Sequence, residues 1–290
     1  MYQEFEIKTS YKYLNEVIKS LKEPICILGG WAVFFHVNNN YKKTQGRPYL
    51  GSRDIDLGFH IVKELKNSTL LQTIKILEEK LKFKPLSFRL MKEIHTETEE
   101  EIEEGERMPA HFVFPMYIDL IVDNIPDNFK KIFGFNPIDE PLLKYVFVEK
   151  DFMIVKEFEK ELLLPNPELL LAMKINSLPN RDREHKRLKD IENCVDCMTF
   201  CTQFSIWKTA TIHAINNAVI HICDIFALLW YSSINSQKIN LVKYVSNKNI
   251  KKCLNTITQD EFEKAGLQVG HSHEEIKQVL NLLEDTKEGL

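Results

Sequence analysis

Two carboxylates, Asp54 and Asp56, flank a single apolar residue in the run Arg53-Asp54-Ile55-Asp56-Leu57. On an extended strand, residues two apart share a face, so both carboxylates project together while Ile55 and Leu57 turn into a core. Like charges held side by side repel. The usual relief is a cation, and clustered hard oxygens suit magnesium. A further acid, Asp119, sits among apolar neighbours in Tyr117-Ile118-Asp119-Leu120-Ile121. A carboxylate in such a frame needs a partner, and a shared metal site supplies one. Carboxylates from two adjacent strands are what a two-metal phosphoryl-transfer site requires: one ion activates the attacking hydroxyl, the other neutralises the leaving pyrophosphate. In a chain with 42 acids, Asp-x-Asp also occurs on solvated strand edges, and Asp119 alone could cap a turn.

The elements that must position these acids can be read from local patterns. Residues 25–28 are a short apolar run closed by Gly29-Gly30, which reads as a buried strand entering a turn, with a short helix over 31–37. Such a turn can be empty of ligand. It can also let a triphosphate approach backbone N–H groups at a helix N-terminus. Residues 38–51, rich in Asn, Lys, Gly and Pro, predict a flexible loop, and 53–61 alternate as a strand. Helical spacing covers 9–22, ended by Pro24, and 69–83. Strand patterns recur at 110–123, 144–148 and 152–156, and the acidic run 93–106 predicts a solvated loop or hairpin tip. From Pro165 onward the patterns are helical. The expected fold class is therefore α+β, a mixed-sheet domain over 1–164 followed by an all-helical domain over 165–290.

The segments Leu28-Gly29-Gly30-Trp31-Ala32-Val33 and Gly51-Ser52-Arg53-Asp54-Ile55-Asp56-Leu57-Gly58-Phe59 resemble the nucleotidyltransferase (polymerase-beta-like) superfamily, and most of all the AbiEii-type toxins of toxin–antitoxin systems. In that family a glycine pair and an Asp-x-Asp strand form the nucleotide and metal site, with a third acid on a neighbouring strand. The likeness runs through Pro167-Glu168-Leu169-Leu170-Leu171-Ala172-Met173-Lys174 and the stretch from Arg181 to Asp190, covering about residues 25–196. It implies Lys174 near the triphosphate, Asp190 as a later acid orienting a basic neighbour, and Lys189 beside it. It also implies an RNA acceptor, such as a tRNA 3′ end, and a cognate antitoxin as partner. The chain departs from the pattern between Gly30 and Asp54, where no compact Ser/Thr run occurs, although Arg47, Ser52 and Arg53 could serve phosphate.

The expected site thus has Asp54, Asp56 and Asp119 as ligands of two Mg2+ ions. Gly29, Gly30, Ser52, Arg53 and Lys174 receive the nucleoside triphosphate, and Asp190 completes the catalytic set in a cleft between the two domains. The formal net charge of −4 is not the global signature of a nucleic-acid binder, so RNA would have to meet local patches. One such patch is Arg181, Arg183, Lys186, Arg187 and Lys189; another is Lys238, Lys243, Lys248, Lys251 and Lys252 with Tyr244. The first could equally be a solvated, salt-bridged face, since Asp182 and Lys186 stand four apart, as do Arg183 and Arg187, and the second could serve surface solubility. An acidic acceptor pocket from 93–106 would instead favour a small cationic acceptor such as an aminoglycoside. Loss of the chemistry would leave a non-catalytic nucleotide- or RNA-binding protein.

Cys194, Cys197 and Cys201 share a helical face, which describes a buried stripe as well as a metal site, and no fourth ligand follows at zinc-finger distance. His271 and His273 read as a helix start with Ser272 as cap. The six cysteines lack a secreted-domain spacing, and the first residues lack a basic start followed by an apolar run. A cytoplasmic compartment is the expectation. The most apolar stretch, 215–231, carries Asn216, Asn217, His221 and Asp224, which predicts a buried helix rather than a membrane span.

Overall fold

The computed structural model describes residues 3–61, 68–86, 89–103, 105–106, 108–125, 128–134, 137–180, 218–234 and 241–284. The chain divides into two compact units, Tyr2–Leu170 and Leu171–Leu290. The division falls inside a helix, Pro167–Ser177. The fold is α+β, with a mixed sheet followed by helices.

The first unit opens with α1 (Glu4–Ser20), which buries Leu14, Val17 and Ile18. Strand β1 (Ile25–Ile27) is buried at every position and leads directly into α2 (Gly29–Gln45). Strand β2 (Ile55–Phe59) turns Ile55 and Leu57 into the core. There follow α3 (Thr69–Lys75) with a π-helical turn, β3 (Lys84–Leu86), β4 (Arg89–His95), β5 (Val113–Val122), α4 (Phe129–Phe133), β6 (Ile138–Asp139), α5 (Leu143–Phe147), β7 (Phe152–Glu157) and β8 (Lys160–Pro165). The sheet order is β3-β4-β5-β2-β1-β8-β7, with β6 pairing the end of β5. β2 runs parallel to β5 and β1 parallel to β8; β1–β2, β3–β4, β4–β5 and β7–β8 are antiparallel. Central β5 buries Phe114, Met116, Ile118, Leu120 and Val122 on one face. Trp31 Nε1 donates to Ser10 Oγ at 3.1 Å, tying α2 to α1.

Several local readings change. Helix α2 continues to Gln45, where a loop was expected from residue 38. Val37 and Tyr41 are fully buried on one of its faces, so packing overrides the Asn- and Lys-rich composition. Residues 144–148 are not a strand: 143–147 form α5, because a short apolar run fits either a buried strand or a buried helix turn. Strands β3, β4, β6 and β8 carried no sequence expectation. The acidic run 93–106 begins inside β4 and turns at 96–98, bridging Ile94 to Glu101. Its Glu99 meets Lys8 at 3.0 Å and its Glu101 meets Lys92 at 2.7 Å, so two acids of that run are already compensated.

In the second unit, described residues 218–231 are helical and almost wholly buried, as the apolar stretch predicted. Helices Asn247–Thr256, Gln259–Val269 and His273–Glu284 follow. Ser246 and Thr258 cap two of them, and Ser272 Oγ accepts from Glu275 N at 3.3 Å at the start of the last. His271 stacks on Trp230 with ring centroids 4.4 Å apart, and Tyr231 donates to Val269 O at 2.7 Å. Among the described residues no helix is long and apolar enough to cross a membrane.

Candidate active site

The acids meet because of strand register. Asp56 and Asp119 are Cα partners across the parallel β2–β5 ladder, and Arg89 is the partner of Asp119 across the antiparallel β4–β5 ladder. Directly opposed residues project from the same face, so Asp56, Asp119 and Arg89 form a row across three strands. Asp54 lies just ahead of β2, close enough for its charge to act on Asp119.

Asp119 is 6% exposed. Its Oδ2 accepts from Arg89 Nη2 at 2.9 Å, while its Oδ1 is buried with no hydrogen-bond partner. Burial, reinforced by the charges of Asp56 and Asp54 and opposed by Arg89, pushes its carboxyl up to about 8. Arg89 also lies over the Tyr117 ring at 4.4 Å, which holds the guanidinium on the strand.

The glycine pair is fitted to this carboxylate row. Gly29 has φ +59°, and a Cβ there would stand 1.8 Å from Asp56 Oδ2, so the start of α2 rests on the Asp56 side chain. A Cβ on Gly30 would come within 2.9 Å of Ser52 Cβ. Leu28 N donates to Asp56 O at 2.9 Å, joining β1 to β2 at the same level. Ser52, 6% exposed, accepts from Asp54 N at 3.4 Å. The positions expected from sequence to hold metal and phosphate, Asp54, Asp56, Asp119, Gly29, Gly30 and Ser52, are therefore one neighbourhood.

Two basic residues are otherwise engaged. Arg53 points to Glu6 at 3.5 Å and over Phe114 at 5.2 Å, with Asp54 at 3.9 Å. Lys174 is buried and bonded to Asp224 at 2.6 Å. Beside it, His221 Nε2 donates to Lys174 O at 2.8 Å and stands 3.0 Å from Ser177 Oγ. Asp190 and Lys189, the basic stretch from Arg181, the cysteines 194, 197 and 201, and Lys238 lie outside the described residues.

Sequence reasoning missed Arg89, because nothing local marks a residue whose importance comes from the strand opposite. It also missed the Asp224 partner of Lys174, although an acid inside an apolar stretch was a usable signal that a buried cation must face it.

The residues present suit a divalent cation: a buried, unpartnered carboxylate oxygen on Asp119, two further carboxylates whose charges reach it, and a hard-oxygen donor set. Among the described residues, no three His, Cys, Asp or Glu side chains are gathered as a ready ligand set.

No family model matches the chain, and no curated protein matches it. Among solved structures it is similar to an antigenic nucleotidyltransferase-like protein from Paracoccidioides brasiliensis, at 16% identity and a TM-score of 0.33, over 80% of this chain and 95% of that chain.

Proposed function

We propose that this protein is a nucleotidyltransferase that moves a nucleoside monophosphate from a nucleoside triphosphate to a hydroxyl acceptor. The observation that carries the reading is the in-register carboxylate row with the orphaned Oδ1 of Asp119 against the glycine-led start of α2. Asp54, Asp56 and Asp119 would hold Mg2+, which when bound neutralises triphosphate charge and favours ionisation of the acceptor hydroxyl. Backbone N–H groups at Gly29 and Gly30 would receive phosphate at the N-terminus of a 17-residue helix, with the Ser52 hydroxyl beside them. The acceptor oxygen attacks the α-phosphorus in line, a new P–O bond forms, and the bond to the bridging oxygen breaks to release pyrophosphate. Asp119 favours loss of the hydroxyl proton. Gly29 lets the start of α2 close onto Asp56, since any Cβ there would collide with the Asp56 carboxylate.

For the acceptor we take RNA, in a toxin-like role that would pair the chain with an antitoxin. Support comes from Lys248, Lys251 and Lys252, exposed on one helix around an open depression that also involves Asn247, Asn255 and Thr256.

The test is incubation with magnesium, each α-labelled nucleoside triphosphate in turn and total RNA, alongside an Asp54→Ala, Asp56→Ala variant. Label entering RNA only with intact carboxylates is the expected result. Label reaching only small hydroxylated molecules would replace the acceptor, and no transfer to either class would leave a non-catalytic binder.

A further inference from the structure

The β4 strand contributes a charged group that the proposed chemistry does not otherwise use. Arg89 is directly opposite Asp119 in the β4–β5 register and bonds its Oδ2 at 2.9 Å. The guanidinium is itself fixed, lying 4.4 Å from the Tyr117 ring centroid on the same strand pair, and its side chain is only 22% exposed. With Oδ2 occupied, the carboxylate cannot spin about its Cβ–Cγ bond without breaking a charge-assisted hydrogen bond. The remaining oxygen, Oδ1, is buried and unpartnered.

We infer that Arg89 is a positioning residue for the metal site, clamping Asp119 through Oδ2 so that it offers a divalent cation one oxygen, Oδ1. This rests on the reading of Asp54, Asp56 and Asp119 as cation ligands. Outer partners that orient a ligating carboxylate act mainly on metal affinity, with losses of about 10–100-fold when removed. Glutamine at position 89 keeps a hydrogen-bonding group but not the charge or the forked reach. Lysine returns a cation to Oδ2.

Binding of Mn2+ to the full chain, followed by the loss of its free-ion EPR signal without nucleotide, reads the site directly. Arg89→Gln is expected to weaken Mn2+ by about 10-fold or more, and Arg89→Lys to restore most of that loss. Asp119→Asn should weaken binding too, and adding Arg89→Gln to it should cost nothing further, because the arginine acts through that carboxylate. Far-ultraviolet circular dichroism checks that each variant is folded, and the lysine variant, the mildest change, keeps the test informative if glutamine unfolds the chain. Wild-type affinity in Arg89→Gln, or losses that multiply in the double variant, would overturn the clamp while leaving the carboxylate site standing. Failure of the wild type to bind Mn2+, or binding that survives Asp54→Ala, Asp56→Ala, would overturn the metal site and the clamp with it.

Discussion

Replacing Asp119 with Asn should make the protein more stable as it makes it less active, and the stability change should depend on pH in one window only. In the folded chain burial and the neighbouring Asp56 push the Asp119 carboxyl up to about 8, while in the unfolded chain an Asp ionises near 3.9. Between those values the folded state holds a proton that the unfolded state has released. Stability therefore falls as pH rises through that window and is flat above about 8. Each pH unit in that window corresponds to on the order of 1 kcal/mol, so the wild type loses stability steadily between pH 5 and pH 7. The proton belongs to the carboxylate cluster rather than to a single oxygen, and Asn removes the most buried member of it. Asn keeps an oxygen for Arg89 Nη2 and has nearly the same volume. Urea unfolding of the metal-free protein, read by hydrogen exchange at β5 peptides so that the first unit is followed, measures the difference at each pH. The stability advantage of Asp119→Asn should grow from pH 5 to 7, by on the order of 1 kcal/mol per unit, and stop growing above 8. Parallel pH profiles for the two proteins would refute the desolvation argument.

Other perturbations test other links. Gly29→Ala forces a φ of +59° and places a Cβ 1.8 Å from Asp56 Oδ2. A loss of about 1–3 kcal/mol in urea unfolding, with transfer activity falling along with it, is expected. Lys174→Met leaves Asp224 buried without its cation and should cost about 3–5 kcal/mol, whereas Lys174→Met with Asp224→Leu should recover most of it. If that double variant still transfers nucleotide, the lysine serves the helical unit rather than the triphosphate. Neutralising Lys248, Lys251 and Lys252 together should flatten the dependence of RNA affinity on log salt by about 2 units, measured by filter binding across a salt series. Ser272→Ala removes one cap of helix His273–Glu284 and should lower thermal stability by about 1 kcal/mol.

Alternation alone places Ile55 and Leu57 inward and sends Asp56 to the other face. The same short-range logic marks the glycine-led end of β1, the helical character of the described residues after 165, the buried helix over 218–231 and the Ser272 cap, although Gly29 and Gly30 open helix α2 rather than forming a turn ahead of it. Each of these depends on spacing within one turn or one strand, which a linear sequence carries. Helix α2 running to Gln45 and the helical 143–147 segment depended on which face found a core, as Tyr41 and Val146 did. The pairing of Asp119 with Asp56 and Arg89, and of Lys174 with Asp224, was decided only in three dimensions. Those contacts join residues 30 to 50 or more positions apart. A buried charge declares that it needs a partner, but which residue answers depends on strand order and register across the sheet. No local pattern contains that information.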